Sequence, residues 1–265
     1  MTKQGAKVRV PDLLKMKRSG QKIAMLTAYD ATMAGLLDRA GIDVILVGDS
    51  LGMVVLGEQT TVGVTLDMIA HHSRAVANGV SNALIVADLP FLTYHASVAD
   101  AVRNAGRLIQ QGRAEAVKLE GGVAVSEAVR AIANAGIPVM GHVGLLPQSV
   151  HMLGGFRAAG RTSEEAEQIL RDAGALQEAG AFALVLECVS PELAGRITRE
   201  VSIPTIGIGS GPLCDGQVLV SYDALGLYQG FVPRFVKRYA ELGTAATEAA
   251  QAYITEVRSG AFPSE

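Results

Sequence analysis

The chain has 265 residues, 49% hydrophobic and 18% charged, enough to bury about 70–75% of its unfolded surface in one large α/β domain or two small ones. A net charge of −3 and a pI near 6.0 leave no basic footprint, so neither a nucleic acid nor a membrane is expected as a partner. The start, "MTKQGAKVRVPDLLKMKRSG", lacks the apolar stretch of a secretory signal, and Cys188 and Cys214 form neither a disulfide framework nor a metal-spaced pair; a reduced, cytoplasmic protein is expected.

In chain order, strands are expected at "IAMLTAYD" (23–30), "VILVGDS" (44–50), "ALIVADLP" (83–90) and "AVKLEGG" (116–122). They continue at "PVMGHVGL" (138–145), "ALVLECV" (183–189), "PTIGIGSG" (204–211) and "QVLVSYDALG" (217–226). Their continuous apolar runs suit a parallel sheet covered on both faces. Helical patterns lie between them at 31–40, 65–79, 97–113, 124–135, 163–180 and 191–200, with a longer one at 232–257. Thr162 and Glu165 make a capping box, Ser190-Pro191 reads as a cap followed by a first-turn proline, and glycines at 41, 136 and 180 read as C-terminal caps.

Eight βα-like units predict a (β/α)8 barrel spanning residues 1–265 as a single domain with a short N-terminal extension; a doubly wound open sheet is the competing arrangement. The link between "GIGSG" and "QVLVS" is shorter than the dozen residues a parallel crossover normally uses.

In a barrel, catalysis sits at the C-terminal strand ends. Those ends carry Asp30, Asp49-Ser50, Asp88, Lys118 with Glu120, His142, Glu187 and Ser210. Asp30 precedes a helix and reads as its cap. In "AVKLEGG", side chains alternate, so Lys118 and Glu120 share one face while Val117 and Leu119 take the other. A buried Lys–Glu pair stabilises little by itself, which favours a site at the barrel mouth. Asp49, Asp88 and Glu120, from three strands with one histidine nearby and no cysteine, suit a hard cation such as magnesium. "GIGSG" (207–211) is readable either as a phosphate nest or as close backbone packing.

Nine segments in order carry a resemblance: "TAYD", "LVGDSLGM", "ADLPF", "VKLEGG", "GHVGLLPQSV", "GGFRAAGR", "LVLECV", "IPTIGIGSG" and "DGQVLV". Together they resemble the ketopantoate hydroxymethyltransferases, over nearly the whole chain. The resemblance implies a barrel of the phosphoenolpyruvate/pyruvate type. It implies transfer of a hydroxymethyl group from 5,10-methylenetetrahydrofolate to 3-methyl-2-oxobutanoate, giving 2-dehydropantoate for pantothenate and coenzyme A synthesis through a magnesium-stabilised enolate. It assigns Asp49, Asp88 and Glu120 to one Mg2+ per subunit. It assigns Asp49, Ser50, Asp88, Lys118 and His142 to the substrate, and Glu187 to catalysis as base. It also implies a homo-oligomer, a decamer. The alternatives are a carbon–carbon lyase or phosphonomutase on the same barrel, and a non-catalytic oxo-acid binder.

Overall fold

Eight parallel strands hydrogen-bond in sequence order and close on themselves in the computed structural model, which describes residues 6–155 and 158–264. They are β1 (Ile23–Thr27), β2 (Val44–Val47), β3 (Leu84–Asp88), β4 (Ala116–Glu120), β5 (Val139–Gly144), β6 (Ala183–Glu187), β7 (Thr205–Ile208) and β8 (Gly216–Leu219). Every residue of β2, β3 and β4 is buried. Strands covered on both faces can be apolar throughout, and that is why they read as continuous runs. The doubly wound alternative is excluded by the closed ring.

The chain divides into two compact units, Met1–Val218 and Leu219–Glu265. The first holds α1 (Val10–Ser19), α2 (Ala31–Arg39), α3 (Leu51–Val54), α4 (Leu66–Gly79), α5 (Val98–Gln110) and α6 (Ser126–Asn134). It also holds α7 (Val150–Leu153), α8 (Ser163–Glu178) and α9 (Pro191–Glu200). The expected caps are in place, except that the capping box is half formed, because Glu165 Oε2 accepts the Arg161 amide at 2.8 Å. Asp30 Oδ1 accepts the Met33 amide at 2.8 Å, Thr162 Oγ1 that of Glu165 at 3.2 Å, and Ser190 Oγ that of Leu193 at 3.2 Å. Gly41, Gly136 and Gly180 take the left-handed conformation after their helices. Asp30 is therefore a helix cap.

Alternate residues point into the barrel. Ile23, Met25, Val44, Leu46, Leu84, Val86, Ala116, Met140, Ala183, Val185, Ile206 and Val218 form one cluster. Leu13 and Met16 of α1 join it. The segment expected as a plain extension is thus a helix packed on the interior cluster. Pro11 in its first turn and left-handed Gly20 after its end explain why it starts and stops where it does.

The last two strands are joined by a short link, as expected, and two other expectations change. Residues 209–215 join β7 to β8 without a helix. Seven residues reach about 23 Å when extended, enough to return past a four-residue strand of about 13 Å. The last strand ends at Leu219, and "SYDA" forms the short helix α10 (Ser221–Ala224). The final helix α11 (Leu242–Ser259) begins ten residues later than the expected 232, because Pro233 and Gly230 interrupt the preceding stretch. Within this second unit, Tyr239 and Leu242 amides donate to the carbonyls of Ala224 and Leu225.

Candidate active site

The register of the barrel assembles the polar strand ends. Asp88 lies beside Lys118, Glu120 beside His142, and Glu187 beside Gly144. Each of these polar residues has the same strand parity as the interior cluster: Asp88 follows Leu84 and Val86, Lys118 and Glu120 follow Ala116, and His142 follows Met140. The alternation argued for Lys118 and Glu120 therefore holds, and Val117 and Leu119 take the helix-facing side of β4. Asp49 and Ser50 come from the turn after β2. There a Cβ on Gly48 would stand 2.8 Å from Ser50 Oγ, so only glycine lets the chain pass so closely. Gly144 has φ +100 and faces the Glu187 carbonyl, where a Cβ would sit at 2.3 Å.

Asp49, Asp88, Lys118, Glu120 and His142 are all buried. Lys118 Nζ lies 2.9 Å from Asp88 Oδ1 and 3.3 Å from His142 Nδ1. Asp88 Oδ2 accepts the Asp49 backbone amide at 3.0 Å. His142 Nε2 lies 3.2 Å from Glu187 Oε2, and Nδ1 lies 3.7 Å from Glu120 Oε1. An ammonium group can only donate, so Nδ1 facing Lys118 is the acceptor and Nε2 carries the proton toward Glu187. Ser50 Oγ pairs with Tyr29 OH at 2.9 Å. Asp49, Asp88, Lys118, Glu120, His142 and Glu187 are thus linked at one end of the barrel, while Ser50 follows Asp49 in the same turn and pairs with Tyr29.

Three carboxylates, Asp88, Glu120 and Asp49, surround the Lys118 ammonium, and Glu187 is a fourth in the cluster, beside His142. Burial, then the negative charge of Asp88, pushes the Asp49 carboxyl up to about 7. Burial and the charge of Asp49 push Glu120 well above the carboxylate range. Burial alone would lower Lys118, but Asp88, Glu120 and Asp49 outweigh it and hold the amine above its usual value. Burial and the Lys118 charge lower His142, which keeps the imidazole neutral. Asp88 Oδ1 and His142 Nε2 are buried atoms without a well-directed hydrogen bond despite their near neighbours.

This donor set fits a divalent cation: all oxygen, with more carboxylates than the one ammonium neutralises. No three His, Cys, Asp or Glu side chains among the described residues form a ready-made cage. A cation held by one or two of these carboxylates, with water and substrate oxygens completing its shell, matches the habit of magnesium.

Two residues that sequence reasoning passed over belong to the cluster. Gln148 Nε2 donates to Asp49 Oδ2 at 2.8 Å, and its backbone amide donates to Glu120 Oε2 at 3.0 Å. Tyr94 OH donates to Gln148 Oε1 at 2.8 Å. Gln148 stood inside the quoted segment "GHVGLLPQSV", where Pro147 opens the 3-10 turn Pro147–Ser149 that folds it back. The buried Ser210 hydroxyl donates to the Leu186 carbonyl at 2.7 Å and accepts the Val189 amide at 3.2 Å, a packing role for that side chain. Cys188, next to Glu187, is held at φ +51, a strained conformation for a side chain of its kind. Burial and the Glu187 charge push its thiol up to about 12, so it is not a thiolate nucleophile.

A closed (β/α)8 barrel with a buried carboxylate–lysine–histidine cluster at its strand ends has the architecture of a barrel enzyme with its site at the C-terminal face. The crystal structure of 2,3-dimethylmalate lyase, a member of the PEP mutase/isocitrate lyase superfamily, aligns with a TM-score of 0.61 over 95% of this chain and 88% of its own, at 16% identity, a likeness of fold. The chain belongs to the ketopantoate hydroxymethyltransferase family, whose profile matches residues 7–265. It is 60% identical over 262 residues to the 3-methyl-2-oxobutanoate hydroxymethyltransferase of Moorella thermoacetica, covering 99% of this chain and 97% of that one. Against the enzyme of the same name from Pelobacter propionicus it is 54% identical, covering 100% and 98%. No described helix is long and apolar enough to cross a membrane.

Proposed function

We propose that this chain catalyses hydroxymethyl transfer from 5,10-methylenetetrahydrofolate to C3 of 3-methyl-2-oxobutanoate, giving 2-dehydropantoate for pantothenate synthesis, through an enolate formed with Glu187 as base. Family membership supports the reaction. The observation that carries the mechanism is the alignment of His142 between Lys118 and Glu187.

The hard step is removal of a proton from a carbon beside a ketone. Glu187 is the least buried carboxylate of the cluster, with its side chain 15% exposed, and so faces the open end where substrate arrives. His142 Nε2 lies 3.2 Å from Glu187 Oε2, near but not yet well directed, and is placed to steer that oxygen while the other takes the C3 proton. Lys118 places positive charge where negative charge develops on the substrate oxygens. Ser50, braced by Tyr29, offers a hydroxyl to the substrate carboxylate. Magnesium held by Asp49 and Asp88, with Glu120 close by, would supply Lewis acidity toward the keto oxygen.

The proposal extends to a cytoplasmic homo-oligomer, the decamer that the resemblance implies. Support for assembly comes from α11, which buries none of its residues in the single chain.

The test is product formation by purified protein from 3-methyl-2-oxobutanoate and 5,10-methylenetetrahydrofolate with Mg2+. We expect 2-dehydropantoate from the wild type and a loss of about 10²–10⁴ in rate for Glu187→Gln, the usual worth of a general base. Equal rates would remove Glu187 from the mechanism.

A further inference from the structure

Gln148 touches both Asp49 and Glu120, and its own geometry is fully determined. Its two amide hydrogens are spent on Asp49 Oδ2 at 2.8 Å and the Leu89 carbonyl at 3.0 Å. Turning the amide over would set Oε1 against a carboxylate and a carbonyl, so one orientation survives. Tyr94 enforces it. The phenol has a single hydrogen and two acceptors, Gln148 Oε1 at 2.8 Å and, farther off, the Glu120 carbonyl at 3.1 Å, while its oxygen accepts the Glu120 amide at 3.1 Å. The backbone amide of Gln148 completes the arrangement by donating to Glu120 Oε2 at 3.0 Å. Gln148 and Tyr94 are both buried, 4% and 3% exposed, so water cannot substitute for these donors.

We infer that Gln148, oriented by Tyr94, is a positioning residue that occupies one oxygen of Asp49 and one of Glu120, turning Asp49 Oδ1 and Glu120 Oε1 toward the divalent cation. The inference rests on the metal reading given above. A carboxylate free to rotate must lose that freedom when it binds a cation; one clamped through its second oxygen has lost it already. Glu120 Oε1 accordingly points toward His142, within the cluster, while Oε2 points back to the turn at Gln148.

The experiment uses Mn2+ as probe and substrate-free protein, following free aqueous Mn2+ by electron paramagnetic resonance, with thermal unfolding measured alongside. Wild type is expected to bind one Mn2+ per chain and Asp49→Asn to lose it. Gln148→Met keeps the side-chain length and the backbone donor but removes the clamp on Asp49; its Kd is expected to rise about 10–100-fold. Tyr94→Phe, which removes one oxygen and frees the amide to turn, is expected to weaken binding by a smaller factor. A purely structural role would lower the unfolding temperature of Gln148→Met and leave its Kd unchanged, which overturns the inference. Should Gln148→Met fail to fold, Tyr94→Phe decides in the same way. Absence of Mn2+ binding by wild type, or binding that survives in Asp49→Asn, overturns the metal reading itself and the inference with it.

Discussion

Lys118 is the ammonium group set among Asp49, Asp88 and Glu120, and its removal separates electrostatic catalysis from scaffolding. Lys118→Met keeps much of the buried volume and deletes the charge that faces the developing negative oxygen. We expect turnover at saturating Mg2+ to fall by about 10²–10³, as when one preorganised donor to an oxyanion is lost. Steady-state kinetics check this, and wild-type turnover would contradict it. The same residue shows what was readable in advance. Lys118 and Glu120 stand two apart in an otherwise apolar strand, and a period of two sends both into the barrel. Asp88, His142 and Glu187 were legible for the same reason, each being an ionisable group ending an apolar run. Gln148 and Tyr94 were not. Both are neutral side chains in connecting segments, and no strand period predicts where a 3-10 turn returns its side chain.

At the scale of elements, the connection from α2 to β3 depends on one carboxylate. Asp38 accepts the amides of Ser81, Asn82 and Ala83 and the side-chain amide of Asn82, at 2.7 to 3.1 Å. Burial alone would raise its carboxyl, but those donors hold it below the ordinary 3.8. A depressed carboxyl contributes stability that is present above its unfolded value and lost as pH falls through its lowered folded value. Asp38→Asn is therefore expected to cost about 1–2 kcal/mol near pH 7, since water reaches part of the group, with the difference shrinking below about pH 4. Urea unfolding at pH 7 and pH 3.5 checks this; an equal deficit at both would contradict it. Elements themselves were legible where caps and apolar runs agreed, as in α8, which opens at Thr162 as expected. Legibility failed where the chain departs from the βα period. The β7–β8 link was legible as too short for the usual crossover, but not the left-handed Gly209 and Gly211 it uses in place of a helix. Helix α1 has polar and charged residues over half its length, and its Leu13 and Met16 find an apolar partner only in the closed barrel.

For the molecule as a whole, the barrel separates two tasks along its strands. Apolar layers closed by Leu13 and Met16 fill the interior, and the excess of buried carboxylate gathers at the C-terminal ends, where this architecture places its chemistry. That excess costs folding energy unless protons or a cation compensate it. The arrangement makes sense as a site built to form an enolate. Enolisation can be followed without the folate: 3-methyl-2-oxobutanoate is mixed with the protein and Mg2+ in D2O, and the methyl doublet is watched by proton NMR. The account predicts that the doublet collapses as C3 takes up deuterium, and that both EDTA and Glu187→Gln abolish the exchange. No exchange above the buffer rate, with or without added 5,10-methylenetetrahydrofolate, would contradict it.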